Sequence, residues 1–244
     1  MIRWSYAFID RPAAGFDAAA AFWTAATGTT LSARRGPRNE FATLLPASGD
    51  ATIKIQAIDD AGGAHIDLST EDVAGFTARA VDLGATVVDD HGDFAVLRSP
   101  AGQLFCSVPW HGEATRPPAA TGPDGTTTVL DTVCVDVAAD TYEAEVAFWI
   151  ALTGWRSLPA TFPEFHVVGP GAGLPLRILV QRLHTPRPAG AHLDLACSDL
   201  AAAREHHEAL GATFVADVEG WTIMRDPAGG VYCLIPRAPA TGGQ

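Results

Sequence analysis

Phe22–Gly28 reads FWTAATG and Phe148–Gly154 reads FWIALTG, the same seven-residue pattern 126 positions further on. Working outward, AHIDL at Ala64–Leu68 returns as AHLDL at Ala191–Leu195, now offset by 127. LGAT (Leu83–Thr86 and Leu210–Thr213) and PAG (Pro100–Gly102 and Pro227–Gly229) keep that offset. Four matches in one order, drifting by a single residue, mark a duplicated domain, and the period is far too long for a solenoid. Between the copies, His111–Thr128 is rich in Pro, Gly and Thr and poor in apolar residues, as an exposed linker is. The expected boundaries are 1–112 for the first domain, 113–126 for the linker, 127–237 for the second domain and 238–244 for a tail.

Each copy reads as strand, helix, strands, then strand, helix, strands. Tyr6–Ile9 and Val129–Val137 open the copies as β-rich segments. The alanine-rich stretches Phe16–Thr27 and Tyr142–Thr153 follow as helices stopped by Gly28 and Gly154. Glu40–Pro46 with Thr52–Ile58, and Phe165–Val168 with Leu176–Leu183, read as hairpins. After the AH[IL]DL strand, Ser69 or Ser198 is placed to cap a second helix. The buried stripe of that helix is Val73, Phe76, Ala80 and Leu83 in copy one, and Leu200, Ala203, His207 and Leu210 in copy two. His206 is expected in solvent. Phe94–Leu97 with Gln103–Val108, and Trp221–Met224 with Val231–Ile235, close the copies as hairpins.

Composition narrows the class of function. The net charge of −12 repels phosphate backbones and anionic lipid, so nucleic acid and membrane surfaces are excluded as partners. No apolar run is long enough to span a bilayer, and the opening MIRWSYAFIDRP lacks the pattern of a signal peptide. Four cysteines in 244 residues, with no C-x-x-C pair, make neither a disulfide scaffold nor a zinc knuckle. The expectation is a soluble, reduced, cytoplasmic protein. No Walker loop, Rossmann fingerprint or G-x-S-x-G elbow is present.

F-W-x-A-x-T-G in the first helix, A-H-[IL]-D-L opening the second half, and [FW]-x-x-x-R-[SD]-P-A-G followed by Cys106 or Cys233 carry a resemblance. They resemble the vicinal oxygen chelate superfamily of glyoxalase I, extradiol dioxygenases and bleomycin-resistance proteins, and most of all its glyoxalase-like subgroup. The resemblance implies an α+β fold of two tandem domains, each a pair of βαβββ units forming a curved mixed sheet around a cavity with helices outside. It also implies that a metal, where present, is held by side chains on four strands, typically His, Glu or Gln, His and Glu. Carried over by position, those places are Tyr6, Gln56, His65 and Cys106 in domain one, and Thr132, Gln181, His192 and Cys233 in domain two. The first and last depart from the metal-binding pattern, so no metal is expected. The alternative is a divalent ion held through His65 or His192.

Several residues carry a functional and a plain reading side by side. His65 and His192 either donate a hydrogen bond or proton to a ligand, as catalytic groups, or are satisfied by Gln56 and Gln181 across the sheet. Asp67 and Asp194 share the face of those histidines and either orient them or solvate the strand end. Trp4, Tyr6 and Phe8 share one face of the first strand, as a stacking wall or as ordinary core; the matching face in copy two is Leu130, Thr132 and Cys134. Cys106 and Cys233 are small buried hydrophobes or nucleophiles partnered by the histidines. Arg34, Arg35 and Arg38 form a basic loop that is solvated or greets an anion. The functional expectation is a protein that binds a small, aromatic metabolite or antibiotic without the metal triad. The alternative is a lyase, isomerase or dioxygenase using a divalent metal or histidine acid–base chemistry. The partners expected are a small molecule and the other domain of the same chain, with a homodimer as a further arrangement.

Overall fold

The computed structural model describes residues 1–239; the expected tail thus lies mostly outside the described residues. A long strand β1 (Ile2–Pro12) leads through a short 3-10 turn into helix α1 (Phe16–Thr27), then β2 (Thr30–Leu31), β3 (Phe41–Leu45) and β4 (Ile53–Ile58). The second half of the copy is β5 (Gly63–Thr70), α2 (Val73–Asp82), β6 (Thr86–Asp90), β7 (Ala95–Arg98) and β8 (Leu104–Pro109). In the linker, β9 (Ala120–Thr121) pairs with the start of β10 (Thr127–Ala138). Copy two repeats the series as α3 (Tyr142–Thr153), β11 (Arg156–Pro159), β12 (Phe165–Gly169), β13 (Arg177–Leu183), β14 (Gly190–Cys197), α4 (Leu200–Ala209), β15 (Thr213–Val218), β16 (Trp221–Arg225) and β17 (Val231–Pro236).

The strand orders are β2-β3-β4-β1-β5-β8-β7-β6 and β11-β12-β13-β10-β14-β17-β16-β15. In each, two βαβββ units meet through their first strands, and the sheets are mixed because β5·β8, β10·β13 and β14·β17 run parallel. This is the α+β pattern of two tandem sheet domains that the repeats imply. Helices α1 and α3 have the bounds the sequence sets, because Gly28 (φ 63°) and Gly154 (φ 67°) take the left-handed conformation that ends a helix.

Two local expectations are corrected. The caps of α2 and α4 are Asp72, accepting from the Gly75 N–H, and Asp199, accepting from the Ala202 N–H. Ser69 lies inside β5 and donates to the Pro109 carbonyl, and Ser198 accepts from the Thr127 N–H, so neither hydroxyl is available to a helix end. The closing segments are also three strands and not hairpins. Edge strands β6 and β15 are missed by apolar alternation because nearly every residue in them is exposed. Both carry a register shift at the equivalent place, Val87/Asp89 and Phe214/Ala216, a bulge that blunts an edge.

Contacts group the described chain into two compact units, and neither is a sequence copy. Unit one holds Met1–Ala7, Ala64–Ala114 and Thr132–His192; unit two holds Phe8–Gly63, Thr115–Asp131 and the chain from Leu193 on. Each unit therefore combines one βαβββ module from each copy.

Unit two is tied by a buried ion pair. Arg11 Nε donates to Asp226 Oδ2 at 2.6 Å, and the indole N–H of Trp23 donates to the same oxygen at 2.9 Å. Asp226 Oδ1 accepts from the Ala228 and Gly230 N–H groups. The remaining guanidinium reach goes to the Asp10 and Gly63 carbonyls. Position 230 must be glycine, since a Cβ there would lie 2.0 Å from Arg11 Cζ. Beside the pair, Phe22, Trp23, Tyr232 and His207 pack ring against ring.

Unit one does the same work with a different acid. Trp149 donates to Glu145 Oε1 at 2.8 Å, and the Ala101 N–H donates to Glu145 Oε2 at 3.0 Å. Burial raises the Glu145 carboxyl above its ordinary value, against the hydrogen bonds from Ser99, Ala101 and Trp149 that favour the ionised form. Phe105 packs on Phe148 and Trp149.

Asp226→Ala leaves the Arg11 guanidinium buried and unpaired, and should cost about 3–5 kcal/mol in urea unfolding. His207 supplies a pH-dependent check. It is fully buried with Nδ1 2.9 Å from the Tyr232 hydroxyl, while His206, expected in solvent, is half-buried. Burial, then the neighbouring His206, lowers the His207 pKa to about 4. The unfolded chain therefore binds this proton more tightly, so stability is full above about pH 6.5 and falls towards pH 4, by about 3 kcal/mol. His207→Phe should flatten the stability–pH curve in that window; an unchanged slope would show that His207 does not control it.

Candidate functional site

Strand β1 alternates, so Trp4, Tyr6 and Phe8 share a face. All three are buried, at 1%, 5% and 6% exposure, so the face is covered and not an open wall. In unit one the Tyr6 hydroxyl donates to Glu113 Oε1 at 2.5 Å, while Glu113 Oε2 accepts from the His111 N–H. Burial works to raise the Glu113 carboxyl, but the Tyr6 hydrogen bond and backbone donors outweigh it and leave its pKa below the ordinary value. The Trp110 indole donates to the Glu113 carbonyl, and the Arg3 guanidinium lies 4.6 Å from the Trp110 ring centroid. These groups border a cleft of about 870 Å³ within unit one, lined among others by Trp4, Phe76, Trp110, Trp155, Arg79 and Glu113. In unit two, Phe8 meets Phe41 edge to face at 6.4 Å, with the Lys54 ammonium 5.5 Å from its ring. Gln56 is the strand partner of that Phe41. The basic loop is largely neutralised: Arg34 pairs with Asp17, and Arg38 with Asp59 at 2.9 Å.

Two Cys–His–Asp clusters also lie within unit one. In the first, the donor atoms of His65, Asp67 and Cys106 all lie within 4.8 Å of one another. His65 Nε2 stands 3.5 Å from Asp67 Oδ1, and Asp67 faces Cys106 across the parallel β5–β8 pair. Burial first, then the Asp67 charge, pushes the Cys106 thiol up to about 11, against a hydrogen bond from His65.

The second cluster is Cys134, Asp136 and His192, again within 4.8 Å. His192 Nδ1 lies 3.1 Å from Asp136 Oδ2, and that oxygen also accepts from Arg187 Nη2 at 2.7 Å. Burial opposes charge on His192, but the charges of Cys134 and Asp136 and hydrogen bonds to both outweigh it, holding the imidazole well above its ordinary pKa. Gln181 Oε1 accepts from Cys134 Sγ at 3.9 Å, and Gln181 is the strand partner of Asp136. Thr132, two residues before Cys134, is buried opposite Arg177. In unit two, Asp194 and Cys233 face each other across β14–β17. Asp67 and Asp194 are each 3% exposed, so neither solvates its strand end.

The sequence reading brought His65, Asp67 and Cys106 to one place and put Cys134 on the inward face of β10. It missed Asp136, Arg187 and Glu113. Asp136 had a signal: it stands 126 residues after Asp10 and continues the period-two face of Thr132 and Cys134. Arg187 and Glu113 sit in connecting segments with no repeat partner of like chemistry.

The metal arrangement that the superfamily uses can be tested against these donors. Each cluster offers one imidazole, one carboxylate and one thiol, whereas a non-haem iron site takes two histidines and a carboxylate. The Cys106 thiol is held in its protonated form, and Asp136 already faces a guanidinium and an imidazole held toward its charged form. These sets do not fit an oxygen- and nitrogen-preferring ion such as Mn²⁺ or Fe²⁺.

A family model described as a glyoxalase-like domain matches residues 6–108 and again 132–235. A search of curated protein sequences finds no significant match. Among solved structures, a mutant 4-hydroxymandelate synthase from Streptomyces coelicolor superposes with TM-score 0.62 at 18% identity, covering 98% of this chain and 93% of that one. The Mn(II)-bound glyoxalase from Novosphingobium aromaticivorans gives 0.62 at 14% identity, with 94% and 80% covered. The 2,2',3-trihydroxybiphenyl 1,2-dioxygenase from Sphingomonas wittichii strain RW1 gives 0.63 at 15% identity, with 94% and 88% covered. At such identities the likeness is one of fold.

Asp136→Asn should lower the His192 pKa, since it removes an opposite charge in direct contact. Imidazole titration by NMR reads this; an unchanged midpoint would show that Asp136 does not hold the charged ring.

Proposed function

Because the chain belongs to the glyoxalase-like domain family, we propose that it uses this fold to bind a small, planar organic molecule without a metal triad. The observation that carries this reading is the unit-one cleft, whose volume suits a small molecule and whose lining combines three tryptophans and Phe76 with a few polar groups. Trp110, half-buried with its ring already stacked by Arg3, is the surface a flat ligand would share or take over. Glu113, fixed by Tyr6 and kept ionised, supplies an acceptor at the same wall. The donor chemistry of the two clusters supports the metal-free part. Within this reading copy one sets affinity through Trp4, which lines the cleft, and Tyr6, which holds Glu113, and not through Leu130, Thr132 and Cys134 of copy two.

A second reading, an enzyme of the same superfamily, is favoured by one observation: His192 is held by Asp136 as a catalytic imidazole is held by its carboxylate. It needs histidine acid–base chemistry and no ion.

The two readings separate by titrating the protein with planar aromatic compounds in chelator, following tryptophan fluorescence. Trp110→Ala should weaken binding about tenfold or more. Tyr6→Ala should weaken it more than Thr132→Ala. Binding that chelator abolishes, or equal losses in the last two variants, would contradict the proposal.

A further inference from the structure

The β3–β4 connection (46–52) and the β12–β13 connection (170–176) are each seven residues long, and each holds a left-handed glycine at its fourth place, Gly49 (φ 78°) and Gly173 (φ 92°). In unit two this glycine is covered by the linker. A Cβ at Gly49 would lie 2.9 Å from the Arg116 carbonyl oxygen and 3.0 Å from Pro117 Cα. The linker then passes Gly28, where Ala120 Cβ is 3.5 Å from such an atom, and reaches α4. There Ala120, Thr121 and Gly122 border one small pocket with Ala203 and His206. Asp50 pins the start of this course, donating from its N–H to the Thr115 carbonyl at 2.7 Å and accepting from the Thr115 N–H at 2.8 Å. Beneath the linker only about 90 Å³ stays open.

The stations of that course recur in unit one, where the cleft measures about 870 Å³. Gly173 and Gly154, the counterparts of Gly49 and Gly28, border it, and among the described residues nothing lies within 4 Å of a Cβ added at either. Phe76 and Arg79 stand on α2 at the edge of the same cleft, where α4 has Ala203 and His206 at the repeat offset of 127. Trp4 and Trp155 take the places of Leu130 and Thr29. From this correspondence we infer that the unit-one cleft seats an extended, proline-bearing peptide segment of a partner protein, along the course that Arg116–Gly122 takes in unit two. Tryptophan faces suit proline rings, and a polyproline II chain loses little freedom on docking. Charge sets the direction of the segment. In unit two, Asp124 lies beside Gly122, and hydrogen bonds from Thr126, with the charge of His206, hold its carboxyl below the ordinary value. Arg79 replaces His206 in unit one, so the segment carries an acidic residue at its C-terminal end. The hydrogen bond that Arg79 makes, to the Ala151 carbonyl, leaves its charge unneutralised. This goes beyond the planar ligand proposed above, whose wall is Trp110 and Glu113; the peptide course runs over the two glycines to Arg79.

The probe is a synthetic peptide with the sequence of residues 115–125, TRPPAATGPDG, titrated into the full-length chain while tryptophan fluorescence is followed. The unaltered chain should bind it saturably. Gly171→Phe should weaken binding about tenfold or more. Position 171 borders the cleft in the same loop, with nothing within 4 Å of an added Cβ, so the ring fills the course without disturbing the fold. Pro117→Gly with Pro118→Gly in the peptide should weaken binding as well. Asp124→Asn in the peptide should cost about two- to fivefold on the unaltered chain and nothing on Arg79→Gln, which keeps a donor for the Ala151 carbonyl. Absence of saturable binding, equal binding by Gly171→Phe, equal binding of the glycine-substituted peptide, or an Asp124→Asn loss that persists in Arg79→Gln would overturn the inference.

Discussion

One carboxylate, Asp226, receives four donors in the interior of unit two: the Arg11 guanidinium, the Trp23 indole and the N–H groups of Ala228 and Gly230. A buried charge is tolerated only when its partners replace water completely, and here both charges of the pair are almost fully enclosed. That requirement fixes the end of β1, the register of α1 and the turn before β17 at once, and it forbids a side chain at position 230. Unit one meets the same demand from another position. Its turn carries Ser99 where unit two has Asp226, and the acid comes from Glu145 on the helix, reaching the equivalent indole, Trp149, and the equivalent turn at Ala101. Two modules of equal topology are thus locked by acids at non-equivalent positions.

The same economy appears in the clusters. His65 and His192 occupy the same repeat position, and the aspartate two residues on, Asp67 or Asp194, faces a thiol across a parallel strand pair in both copies; His192 in addition lies 3.1 Å from Asp136 Oδ2. The added carboxylate comes from β10, where Asp136 follows Cys134 on the same strand face. Arg187 completes the difference from outside the sheet.

Much of the fold was legible because it rests on features that sequence displays directly. The repeated FW–TG segments set the bounds of α1 and α3 through left-handed glycines, and the repeat order gave two βαβββ pairs. Edge strands β6 and β15 were not legible, since side chains exposed on both faces leave no alternation to read. Nor was the acid exchange between Asp226 and Glu145, because it breaks the repeat it serves. At the site, His65, His192 and Cys106 followed from the repeat, and Trp4 and Tyr6 from period two. Arg187, Trp110 and Glu113 lie in connecting segments, where position is set by packing and not by any local pattern.

Nothing in the described residues is a helix long and apolar enough to cross a membrane. The account therefore turns on what the interior of a glyoxalase-like fold does when its strands present one imidazole, one carboxylate and one thiol in place of a metal set. Elemental analysis of protein purified without chelator addresses this most directly. The account predicts well under one equivalent of Mn or Fe per chain. One equivalent of either, lost in His65→Ala or His192→Ala, would contradict it.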